Sequence, residues 1–130
     1  MPQPYTRTVA ASAPRTSTLV GTEETNQGWH GVIYFLNVTG DSGNVGETLQ
    51  LVVEALDPAS GNWSAVTNFA TIPNSYTGTK QYQVFPSEVQ TAAVTDLATQ
   101  ALLLPARWRV RVVHSGTGTW TYSLGEHAVV

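Results

Sequence analysis

Arg107-Trp108-Arg109-Val110-Arg111-Val112-Val113 is the stretch that most limits what this chain can become. Read with a period of two, Trp108, Val110 and Val112 point to one side and Arg107, Arg109 and Arg111 to the other. This is the pattern of a β-strand with one face in a core and one face in solvent. It also places half of the six Lys and Arg residues in a single row, on a chain whose net charge is -3. A concentrated basic row on a mildly acidic chain suits docking on something anionic and supplies no chemistry of its own.

The same period recurs along the sequence. Val32, Tyr34, Leu36 and Val38 share a phase within Trp29 to Thr39, and Ile33 and Phe35 are apolar on the other side, which implies a central or covered strand. In Thr48 to Leu56, Leu49, Leu51, Val53 and Ala55 alternate with Gln50 and Glu54. Asp57-Pro58-Ala59-Ser60-Gly61-Asn62 then reverses the chain into Trp63 to Ile72, with Trp63, Ala65, Thr67 and Phe69 expected on one side. A short strand is expected over Ser17 to Thr22 and another over Thr79 to Phe85. A second hairpin is expected from Arg107 to His114 across Ser115-Gly116-Thr117-Gly118 into Thr119 to Gly125, with Trp120, Tyr122 and Leu124 facing in. Pro86 to Leu104 reads two ways. Ser87-Glu88-Val89-Gln90 fits a capped helical turn, with Val94, Leu97, Ala98 and Ala101 at helical spacing, and the Thr and Ala content fits a long loop.

These elements predict an all-β chain: a single-domain β-sandwich of about six to eight antiparallel strands, with a small β-barrel as the alternative. Residues 1 to 17, punctuated by Pro2, Pro4 and Pro14, are expected to form an extended N-terminal arm, and residues 18 to 130 the sandwich. At 130 residues a single core suffices without staples, which suits a chain with no Cys. No stretch approaches the roughly 18 apolar residues of a membrane helix, so no membrane partner is expected. The start of the chain lacks the charged segment and apolar run of a secretory leader.

Charged residues make up only 12% of the chain, about half the usual share, and Thr, Ser, Gln and Asn take their place. A solvated monomer normally keeps more charge for solubility, so this composition fits a protein that lives within an assembly, and it also fits an ordinary Thr-rich β-protein.

Candidate chemistry is sparse. His30, His114 and His127 are scattered and read as strand-end surface histidines, although the last hairpin could bring His114 and His127 together. Asp41, Asn44 and Glu47 are oxygen donors in a Gly-rich loop, but their spacing does not match an EF-hand and the same residue types suit any β-turn loop. No paired carboxylates, nucleophile elbow or phosphate-cradling loop stands out, so no catalytic residue, metal or cofactor is expected and the chain does not read as an enzyme. The arginine row has two readings: bidentate docking on a carboxylate-rich protein surface, or pairing with Glu or Asp on a neighbouring strand. Nucleic acid is not the expected partner, because the chain is net acidic and Lys80 is the one lysine. Most of the four tryptophans sit at the inward phase of their strands and read as core packing, and Trp29 and Trp63, at strand starts beside loops, are the candidates for an exposed aromatic platform.

Asp57-Pro58-Ala59-Ser60-Gly61 in a hairpin loop, Val84-Phe85-Pro86 closing a strand, Leu104-Pro105-Ala106 leading into the arginine row, and the ending Tyr122-Ser123-Leu124-Gly125 together resemble small virion structural proteins of tailed bacteriophages. Gly31-Val32 adds to the likeness, which covers roughly residues 29 to 125 and leaves out the arm and the segment from Ser87 to Leu103. The resemblance implies a virion component. Capsid decoration is its best-fitting form: a homotrimer made in the host cytoplasm, bound to the major capsid protein on the outside of the head. A tail or neck subunit is a second expectation, and a carbohydrate-binding module for host attachment a third. Under the decoration reading Arg107, Arg109 and Arg111, with Tyr5 and Arg7 of the arm, would form the contacts.

Overall fold

A computed structural model describes residues 3 to 86 and 95 to 130. Its strands are β1 (Tyr5–Arg15), β2 (Leu19–Val20), β3 (Glu24–Thr25), β4 (Gly31–Gly40), β5 (Thr48–Leu56), β6 (Trp63–Asn68), β7 (Ile72–Pro73), β8 (Gly78–Phe85), β9 (Leu97–Ala101), β10 (Arg107–His114) and β11 (Trp120–Val129). They form two sheets. The first runs β1-β11-β4-β8-β9, and the second β2-β10-β5-β6, with β3 also on β10 and β7 also on β5.

This order is that of a jelly roll. In each sheet a late strand sits between two early ones, because the last two long strands return to fill places left beside β1 and β2. The alternating strands explain why two layers form: each has one apolar side, and burying all those sides requires sheet against sheet. Val32, Tyr34, Leu36, Val38, Tyr82, Val84, Trp120, Tyr122 and Leu124 from the first sheet meet Leu49, Leu51, Val53, Trp108, Val110 and Val112 from the second, all fully or almost fully buried. Each side chain of this size contributes about 1.5–3 kcal/mol by leaving water.

The predicted hairpin of β5 and β6 is present, but a bulge between Val53 and Glu54 changes its facing. One extra residue in β6 reverses the side on which later side chains emerge. Trp63 and Ala65 therefore share the outer face with Leu56 and Glu54, while Thr67 lies opposite Val53 and Phe69 is in the core.

The expected second hairpin does not form. β10 pairs with β2, β3 and β5, whereas β11 pairs with β1 and β4, so Ser115 to Gly118 carries the chain from one sheet to the other. Both strands carry a Trp-led apolar side, and facing each other across the core buries both. His114 and His127 consequently lie in different sheets.

The N-terminal segment read as an arm belongs to the sheet instead of reaching away from it. From Tyr5 to Arg15 it is the edge strand beside β11, with irregularities between Thr8 and Ala10 and between Ala10 and Ala13. Such breaks spoil the outer edge as a template for further strands. Leu97 to Ala101, read at helical spacing, instead form β9, which pairs in parallel with β8 and covers what would have been an open edge. It is the one parallel pairing among the described residues. The helical turn expected at Ser87 to Gln90 lies outside the described residues.

Candidate docking surface

The outer face of the second sheet carries the arginine row. Arg107, Arg109 and Arg111 emerge there because Trp108, Val110 and Val112 fill the core on the other side of β10. β5 lies alongside with Arg109 opposite Glu54. Arg109 Nε donates to Glu54 Oε1 at 2.7 Å, and Arg111 Nη1 donates to Glu54 Oε2 at 3.1 Å. One carboxylate thus serves two guanidinium groups, and the Glu54 side chain is only 8% exposed beneath them. The bulge in β6 brings Trp63 to the same face, where the Arg109 guanidinium lies 4.3 Å from its ring centroid. Arg107, with a side chain 48% exposed, pairs with Glu23 at the end of the row. Two carboxylates against three guanidiniums leave one positive charge in surplus, centred on Arg109 and Arg111.

Tyr5 and Arg7 are not on this face. β1 turns them inward, between the sheets, where both reach Glu24 of β3 and Glu126 of β11. The five residues expected as one contact set are therefore divided, with three on the outer face and two inside. Arg15 lies along β1, donating to the carbonyls of Ala11, Ala13 and Tyr122, and Lys80 pairs with Asp96.

Neither candidate platform tryptophan stands free. Trp29 packs edge-on against Trp108 and tilted against Tyr5, and its Nε1 donates to the Gln3 carbonyl at 2.7 Å. Trp63 lies under Arg109. The loop around Asp41 and Asn44 is organised by Glu47, whose carboxylate accepts from the Gly118 amide and from Asn44 Nδ2. Among the described residues no group of three or more His, Asp or Glu is placed to hold a metal. His114 is half-buried and its Nε2 lies 2.8 Å from the Tyr122 hydroxyl. Burial, with Arg15 nearby, holds its imidazole below the usual histidine range.

Sequence reading missed Glu54 and Glu23 as the partners of the row, and Glu24 and Glu126 as interior acids. Glu126 carried a usable signal. It continues the phase of Trp120, Tyr122 and Leu124, so a carboxylate was due to enter the core. Glu54 was read on the outer phase, but no local pattern reveals that Arg109 would lie opposite it.

No family model matches the chain, and no curated protein matches it. Among solved structures the chain is similar to the VP2 subviral particle of infectious bursal disease virus, with a TM-score of 0.55 and 11% identity. The match covers 98% of this chain and 32% of that one, so the chain spans about a third of the length of VP2. At that identity the likeness is one of fold.

Proposed function

We propose that this chain is a virion structural subunit that decorates the outside of an assembled capsid, in the manner of the small tailed-phage proteins its motifs resemble. The observation that carries the reading is the jelly-roll order of the two sheets, which aligns over almost the whole chain with a virus particle protein. The low charge content supports it, since a surface of Thr, Ser, Gln and Asn suits a protein packed among neighbours.

The docking element is the outer face of the second sheet. Its surplus positive charge offers a place for one carboxylate of the major capsid protein, held bidentately at Arg109 and Arg111 beside Trp63. Binding only the assembled shell would stabilise that shell by mass action. A homotrimer is the expected assembly.

Light scattering of the purified protein, followed by pelleting with empty phage heads, tests the reading. A trimer that pellets with heads supports decoration. A monomer that stays in the supernatant overturns it. Arg111→Gln is the informative variant, because Arg109 still neutralises Glu54 and the surplus charge is gone. It is expected to keep the fold and lose most of the pelleting.

A further inference from the structure

Where β1, β3 and β11 come together, two carboxylates share one phenol. Tyr5 Oη lies 2.5 Å from Glu24 Oε1 and 2.6 Å from Glu126 Oε1. The glutamate side chains are 6% and 0% exposed. Arg7 is the cation of the cluster, with Nη2 at 3.1 Å from Glu24 Oε2 and Nε at 3.5 Å from Glu126 Oε2. Those four atoms have no aligned hydrogen bond among the described residues, so Arg7 supplies charge without completing the network. Among the described residues, the other ionisable group facing the cluster is the Tyr34 hydroxyl on β4, which is directly opposite Glu126 on the inner face and accepts a hydrogen bond from the Trp108 indole N–H of β10.

Counting protons decides the state of this cluster. A phenol has one proton and donates it to one carboxylate. Its oxygen still lies within hydrogen-bond distance of a second carboxyl oxygen, a contact that is attractive only if that carboxyl carries its own proton. Charge counting agrees. With both glutamates ionised, one guanidinium faces two carboxylates, and a buried negative charge is left over. One added proton makes the cluster neutral.

We infer that Glu24 and Glu126 bind one shared proton, and that this proton is a latch that keeps the first half of β1 seated on the sandwich. Tyr5 and Arg7 are the two residues through which β1 grips the cluster. The break between Thr8 and Ala10 separates the ladder of Tyr5 to Thr8 from the rest of the strand. Loss of the proton sets Glu24 and Glu126 against each other across the two sheets and takes away one of the two hydrogen bonds at Tyr5. Burial first, and Glu24 second, push the Glu126 carboxyl up to about 8. Burial and the same two acids raise Tyr5 as well, so the phenol does not give up its proton in place of the carboxyl. The folded chain thus keeps a proton that the unfolded chain loses near 4.5. Its contribution to stability is complete below that pH, falls as pH rises toward about 8, and is gone above it.

Carboxyl carbon NMR of the intact chain reads this directly. The Glu126 carboxyl is expected to show an upper step, holding its proton until near pH 8. Release of the Glu126 proton near 4.5 overturns the proposal. Amide-exchange protection of Tyr5 to Thr8, corrected for the intrinsic pH dependence of exchange, is expected to drop by about tenfold or more across the upper step while Ala10 to Arg15 stay protected. An upper step without that drop overturns the latch. Glu126→Gln is expected to abolish both the upper step and the drop. If that variant does not fold, Glu24→Gln gives the same reading, because removing the neighbouring acid returns Glu126 toward lower pH. Neither outcome depends on what the outer face of the second sheet binds.

Discussion

Trp108 and Tyr34 join the two sheets through the middle of the core. The Trp108 indole Nε1 donates to the Tyr34 hydroxyl at 2.9 Å, and both side chains are fully buried. Each is the other's answer to the same difficulty. A large aromatic side chain fills the space between the sheets well, but its polar atom must find a partner there. Trp108 comes from the arginine row's inner side and Tyr34 from the longest predicted strand, so the bond also ties the docking face to the opposite sheet.

Tyr34→Phe removes one oxygen and leaves the Trp108 N–H buried without an acceptor. A loss of about 1–3 kcal/mol is expected, because an unsatisfied buried donor costs more than the hydrogen bond was worth. Urea denaturation of the variant beside the parent protein measures it. A change of only a few tenths of a kcal/mol would mean that the indole finds another acceptor.

Glu54 is the keystone of the basic row. Glu54→Ala sets the Arg109 and Arg111 guanidiniums side by side without a counter-ion, and is expected to cost about 1–3 kcal/mol. Arg107→Ala breaks only the half-exposed pair with Glu23 and is expected to cost no more than about 1 kcal/mol. Thermal or urea melts of the two variants check the ranking. Equal effects would contradict the partition of the row described above.

Gly31 begins β4 at a close approach to β8. A Cβ at this position would lie 2.5 Å from the Val84 carbonyl oxygen and would run into the Phe85 ring as well. Backbone cannot yield as a flexible side chain does, so Gly31→Ala is expected to destabilise by about 1–3 kcal/mol through overpacking. The melting temperature of the variant is the measurement. An unchanged value would show that β4 and β8 can separate at this end without cost.

Much of the sandwich was legible because side-chain alternation is a local property. The phases of Val32 to Val38, Leu49 to Val53, Trp108 to Val112 and Trp120 to Leu124 all follow from neighbours two residues apart, and all these side chains are in the core. Trp63 and Phe69 show where that rule stops. A bulge shifts the phase between them, and a bulge is set by pairing with β5 and not by the composition of β6. β10 and β11 show a second limit. A short Gly-containing loop between two alternating strands fits a hairpin and a crossing between sheets equally well, and only the pairings available to each strand decide between them.

The arginine row was visible from its sequence, whereas its counter-ions were not. By itself the sequence determined that this chain folds as β-strands with one apolar side each, that those sides make a sandwich core, and that three arginines point away from it. The tertiary structure alone decided which sheet each strand joins, that Glu54 lies under two of those arginines, and that Tyr5 meets Glu126 across 121 positions of chain. The physical reason is range. Alternation acts between adjacent residues, while ion pairs and shared protons depend on which distant strands become neighbours, and that is settled by burying all the apolar faces at once.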